Sequence, residues 1–391
     1  MAVRGWGRSV ATATGIAAGA GAAQLGLGYG LGIVAWLPSV DGGGEASWVA
    51  SLAWATWITA TSVVIGAVVA DRLAPSRPNS ELPSRPNSEL SAGADPDRTP
   101  DSLLTASLWR LALAAAAAIG GMLTVALIAV PARSATRADT FSPQTIAAGY
   151  AMVGAVVGLL MAIWAVASRA AATNAIATVG WLWLLAVVAV IDSVISGTGL
   201  TSAQLGVWQI TADSEQYWFR NIYLPGAALS LGSAFIIGAV SAWPAARDAR
   251  RRVGAAISGG VGPVLIAAAY FLAAPRLVGP RAEQLSAHLL APYAVIAGLA
   301  GSVLVTAIAQ RLEMSRRQPA TATDHDSASA TDAPATGGSA DGRDDATGSA
   351  EGREAPVPEQ PTSGQVADAP ARGTASVTGR GRPAPTTPDG S

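Results

Sequence analysis

The 391-residue chain contains no cysteine and no lysine, and it has only two histidines. Without cysteine there is no disulfide, no thiolate nucleophile and no cysteine metal site, and nothing marks a redox compartment. Without lysine a P-loop lacks its phosphate-binding cation, and no Schiff base can form. His288 and His325 are too few and too far apart for an HExxH or multi-histidine metal site, and no nucleophile–base pair is visible. No cofactor or metal is expected, and the chain reads as non-enzymatic. A serine or carboxylate chemistry around Asp192 and His288 is the one enzymatic arrangement left open.

Charge is scarce as well. Only 13% of residues are charged, about half the fraction usual in soluble domains. All 25 basic residues are arginine, which in a chain so rich in Ala, Gly and Pro reflects a GC-rich genome more simply than a phosphate-binding surface. The net charge of −1 averages basic inner segments against an acidic C-terminal region.

What the sequence does have is long apolar runs. Half of it is hydrophobic, and a membrane-spanning helix needs about 20 mostly apolar residues. Eight segments meet that requirement: 11–37, 47–70, 107–131, 145–168, 175–197, 221–243, 254–274 and 288–310. The expected fold is an all-α membrane protein of eight transmembrane helices. The first run resembles a signal peptide, since Arg4 and Arg8 precede it and small residues follow at 20–23. Its strong apolar stretch, Leu25 to Leu37, lies beyond that point, so it is read as an uncleaved helix.

Arginine placement sets the expected orientation, because positive charge is retained on the cytoplasmic side. With the N-terminus (1–10) inside, the inner segments hold fifteen: Arg4, Arg8, Arg72, Arg77, Arg85, Arg98, Arg110, Arg169, Arg247, Arg250, Arg251, Arg252, Arg311, Arg316 and Arg317. The outer loops hold five: Arg133, Arg137, Arg220, Arg276 and Arg281. Both termini are therefore expected in the cytoplasm of a cell-membrane protein.

Two cytoplasmic segments are expected to be unstructured. The linker at 71–106 carries PSRPNSEL at 75–82 and again at 83–90, an expansion that survives where no core constrains length. The tail, 311–391, has from residue 318 onward no Leu, Ile, Met, Phe, Tyr or Trp, too little apolar surface to offset its chain entropy.

The two halves of the membrane region echo each other. Ala148-Gly-Tyr150-Ala-Met152 resembles Ala291-Pro-Tyr293-Ala-Val295, and Gly158 then falls opposite Gly301. Ile65-Gly-Ala-Val68 recurs as Ile237-Gly-Ala-Val240. Two parallel four-helix repeats are one account, and parallel repeats are a transporter architecture. Chance matching among helices of similar composition is the other.

Several constellations have both a structural and a functional reading. Gly15, Gly19, Gly26, Gly28, Gly30 and Gly32 place Gly-xxx-Gly spacings in the first span; internal packing is expected, with homodimerisation the alternative. Asp192 is an acid inside a span, about 8 Å from its outer end by helical rise. That position favours an ion pair with Arg133, Arg276 or Arg281 over a coupling-ion site. Arg247, Arg250, Arg251 and Arg252 form the densest basic cluster, a topology signal and a candidate site for anionic headgroups, whereas nucleic acid does not suit so short a loop. The outer loop at 198–220 carries Trp208, Tyr217, Trp218 and Phe219, expected in the interfacial belt. Gly120-Gly121 and Gly259-Gly260 are candidate helix breaks.

With lipid the certain partner, the favoured reading is a non-enzymatic bilayer component meeting protein partners through its tail, linker and outer loop. The alternative is a transporter or flippase-like protein of two four-helix halves. A polar cavity near mid-membrane would separate them, and the interior polar inventory (Gln24, Thr59, Thr61, Ser62, Thr124, Ser230, Ser233, Ser258) is thin.

Overall fold

A computed structural model describes residues 2–36, 44–74, 100–135, 141–197, 204–206, 217–218, 222–276 and 282–328. Among these residues, eight helical segments are long and apolar enough to cross a membrane, and the chain is a multi-pass membrane protein in contact with lipid. The helices are α1 (Ala2–Gly30), α2 (Gly44–Leu73), α3 (Pro100–Ala132), α4 (Pro143–Ala167), α5 (Arg169–Ile195), α6 (Leu224–Ala246), α7 (Arg252–Ser258), α8 (Val261–Ala273) and α9 (Ala282–Ala328). A spanning segment must satisfy its backbone hydrogen bonds internally, which is why each apolar run becomes a helix. The fold is not wholly α: Tyr217–Trp218 (β1) pairs antiparallel with Ile222–Tyr223 (β2).

Several boundaries differ from the hydropathy reading. α1 does not continue to residue 37. Gly32 takes a left-handed φ of 68°, Ile33 N–H donates to Gly28 O, and Gly32 N–H donates to Tyr29 O. This paired bonding ends a helix by satisfying carbonyls that would otherwise be orphaned. The chain then folds back, burying Ile33, Val34 and Trp36 in the core. Between α4 and α5 there is no loop of several residues. Ser168 alone caps both helices, its Oγ accepting from Ala171 N–H.

The seventh span is two helices, broken at Gly259-Gly260 between α7 and α8, while Gly120-Gly121 lies inside an unbroken α3. Each expectation of a break rested on a Gly pair. The pair in the seventh span is followed, after Val261, by Gly262-Pro263, and proline has no N–H for the preceding turn. α9 runs 47 residues, well past the boundary at 310, so the tail expected from 311 begins as helix. Residues 329–391 and the repeat at 75–90 lie outside the described residues.

α2 is the hub. Nearly every side chain from Trp48 to Ala70 is buried, and a helix apolar on all sides belongs in the middle of a bundle. It packs against α1, α3 and α4, and it also meets α5 and α8; α3 also packs on α1 and α4, and α6 and α9 form the most extensive pair. Small residues set these approaches. A Cβ on Gly158 of α4 would collide with Ala60 O of α2, and one on Gly301 of α9 with Phe235 O of α6. The matched pair Gly66 and Gly238 is not used alike: Gly66 faces Ala13 and Ala17 of α1, whereas Gly238 faces Gly298 of α9.

Candidate functional site

Three polar places stand out in this apolar bundle: a node at its centre, a helix break, and a cleft at the arginine-bearing end of α2, α4, α5 and α6.

The central node joins three helices. Gln24 of α1 donates from Nε2 to Ser62 Oγ at 3.1 Å. Its Oε1 accepts from Thr61 Oγ1 and from Trp183 Nε1, both at 3.1 Å. Trp54, Trp57 and Trp183 pack around it with ring centroids 5.3 to 6.2 Å apart. Thr56, Thr59, Thr61 and Ser62 each also donate to a carbonyl one turn back in α2. Local bonding of this kind lets a hydroxyl sit in an apolar helix without an outside partner. Among the described residues, Thr124 Oγ1 and Trp57 Nε1 are buried without a hydrogen bond.

At the break, Asn174 of α5 is fully buried. Its Oδ1 accepts from Gly262 N–H at 2.8 Å and its Nδ2 donates to Ser241 Oγ of α6 at 3.4 Å. Gly259 N–H donates to Ser302 Oγ of α9. Two backbone N–H groups at the interruption, those of Gly259 and Gly262, are thus taken up by side chains of neighbouring helices. Sequence reasoning missed Asn174 because the fifth span was started at residue 175, one position too late. A void of about 20 Å³ lies beyond the break among Thr178, Trp181, Ser230, Ser233 and Tyr270, room for about one water.

The cleft, about 610 Å³, is lined by Asp71 and Arg72 of α2, Arg169 of α5 and Pro244 of α6, among others. Asp71 accepts a hydrogen bond from the Trp109 side chain, and Arg72, Arg110 and Arg169 are near enough to act on its charge. These residues had been read only as flanking topology signals, so their convergence went unforeseen.

The residues singled out from sequence are distributed differently. Asp192 is exposed, and among the described residues its carboxylate is joined to neither Arg133, also exposed, nor Arg276; the structure does not form the expected ion pair. Arg281 lies outside the described residues. The basic cluster is largely engaged within the protein. Arg251 pairs with Asp248 at 3.1 Å, Arg252 pairs with Glu313 of α9 and donates to Ala246 O, and Arg247 lies 5.0 Å over the Trp243 ring. Arg250 is exposed, its backbone N–H capped by Asp248.

Internal packing through the first-span glycines is also corrected. A Cβ on Gly15, Gly19, Gly26 or Gly30 would meet nothing within 4 Å. Gly28 alone of the set faces core side chains, Val34 and Trp183, and Gly32 terminates the helix. The packed glycine of α1 is Gly21, which faces Thr124 and Ser62. His288 bonds Gln284 O through Nδ1, its Nε2 is buried without a partner, and its ring lies 4.6 Å from that of Tyr270. Among the described residues, no group of three or more His, Asp or Glu side chains is placed to hold a metal. No family model matches the chain, and no curated protein or solved structure matches it.

Proposed function

We propose that this multi-pass membrane protein is a non-enzymatic structural component of the cell membrane, a packed scaffold that meets protein partners through its cytoplasmic segments. The observation that carries this reading is the filled mid-membrane core. Trp54, Trp57 and Trp183 close around Gln24, and the α2 hydroxyls bond to their own helix. A translocation path needs polar groups at the bilayer midplane that a substrate can engage. Here Gln24 is committed to Ser62, Thr61 and Trp183, and the α2 hydroxyls to carbonyls of their own helix.

The orientation with both termini cytoplasmic rests on the fifteen inner arginines against five outer ones. Two parallel four-helix repeats are supported by Gly158 and Gly301, each of which lets the last helix of its half approach the second. The Ile-Gly-Ala-Val match adds nothing, since its two glycines face different neighbours.

A secondary transporter or flippase-like activity is the second reading. It is favoured by the cleft of about 610 Å³ between the halves and by the broken seventh span, because interrupted helices build many transport sites. The two readings separate in proteoliposomes carrying the full chain. Charge movement would be recorded under imposed proton and sodium gradients, and fluorescent-lipid scrambling would be followed in parallel. The scaffold reading expects neither signal above protein-free vesicles, and it expects photo-crosslinkers in the cytoplasmic linker at Leu90 and in the tail at Val357 to trap a discrete partner in native membranes. A gradient-driven current, protein-dependent scrambling, or an absence of any trapped partner overturns it.

A further inference from the structure

The cleft at the arginine-bearing end has an unbalanced charge. Arg72 and Arg169 line it with the single carboxylate of Asp71, and Arg110 is also near enough to act on that carboxylate. Asp71 is itself held by the Trp109 side chain, and among the described residues no ion pair engages any of the three arginines. The basic cluster at 247–252 is the opposite case, with Arg251 and Arg252 each neutralised by an acid of the same protein. Among the described residues the cleft thus holds two arginines without an ion pair against one carboxylate, and unlike the exposed Arg247 and Arg250 they line a common cavity.

The geometry also suits a two-part ligand. Arg72 comes from the first four helices and Arg169 from the second four, so the two line the cleft from different helices, and Val68, Val166 and Pro244 form apolar wall beside them. Guanidinium is the side chain best matched to phosphate, through forked, charge-assisted hydrogen bonds. Basic pockets between transmembrane helices are places where lipid headgroups bind.

We propose that this cleft binds the phosphodiester of an anionic phospholipid, held between Arg72 and Arg169, with Val68, Val166 and Pro244 against its glycerol and first acyl carbons. Asp71 sets the charge preference. Its carboxylate repels a doubly charged inorganic phosphate more than a singly charged phosphodiester, so the lipid form of the anion is the better ligand.

The test uses the purified full chain in detergent, with native mass spectrometry for occupancy and thermal unfolding for stability. Phosphatidylglycerol should bind about tenfold more tightly than phosphatidylcholine, a difference of about 1.4 kcal/mol, and should raise the unfolding midpoint. R72Q/R169Q should bring phosphatidylglycerol down to the phosphatidylcholine level. An equal loss in R247Q/R250Q would place the site on the exposed cluster and overturn the proposal. Displacement of phosphatidylglycerol by equimolar inorganic phosphate would overturn the lipid assignment. Should the double variant fail to fold, the wild-type protein still decides the matter. Its preference for phosphatidylglycerol must shrink as salt screens the arginines, and a salt-independent preference overturns the proposal.

Discussion

Asn174 Oδ1 accepts the backbone N–H of Gly262 at 2.8 Å, across 88 residues of sequence. One buried side chain thereby caps a helix that begins inside the bundle. Asn174→Leu would keep the volume but leave the Gly262 donor, and Ser241, without that partner. An unsatisfied buried donor costs about 1–3 kcal/mol, so the variant should unfold at lower temperature than wild type in the same detergent. An unchanged midpoint would mean that water or a backbone shift replaces the cap.

Glycines that look alike in sequence should respond in opposite ways. Gly158→Val and Gly301→Val force a side chain onto the carbonyls of Ala60 and Phe235, and overpacking of this kind costs about 1–3 kcal/mol or more. Gly19→Val and Gly26→Val point into open space and should leave the midpoint of the monomer unchanged or slightly raised, as glycine is a weak helix former. Thermal unfolding of the four variants side by side checks the contrast. A large loss in Gly19→Val would show that this face is covered, for instance by a second copy.

Arg252 and Glu313 tie the start of α7 to the C-terminal half of α9, with side chains 18% and 31% exposed. Glu313→Gln should lower stability by about 1 kcal/mol, the upper end of the range for exposed pairs, because both groups are partly shielded. Arg251→Gln breaks a pair that is 63% and 46% exposed and should change stability by under about 0.5 kcal/mol. A double-mutant cycle on Arg252 and Glu313 measures the coupling directly.

The arginine asymmetry predicts a topology that can be tested. Reporter fusions after Leu90, Arg250 and Arg317 should report cytoplasm, and those after Thr140, Gly206 and Arg281 the outside. A reporter at Leu90 reading external would reverse the assignment, and with it the side of the membrane on which the arginine-lined cleft opens.

The number and rough placement of the spans were legible in the sequence, because a bilayer demands about 20 apolar residues per crossing and internal satisfaction of every backbone group. Those are properties of a segment by itself. So was the break at Gly259-Gly260 as a candidate, since glycine and proline act on their own turn of helix. Which polar and small residues matter was not legible. The role of Asn174 depends on Gly262, that of Gly158 on Ala60, and that of Asp71 on Trp109 and three arginines from separate helices. Asp192 looked significant as an acid within a span, yet its side chain is exposed and joined to neither Arg133 nor Arg276. The first-span glycines looked like packing residues by spacing, yet the face they share is open. Hydropathy is summed along the chain, whereas a contact is decided by which faces of two helices meet, and only the packed bundle fixes that rotation.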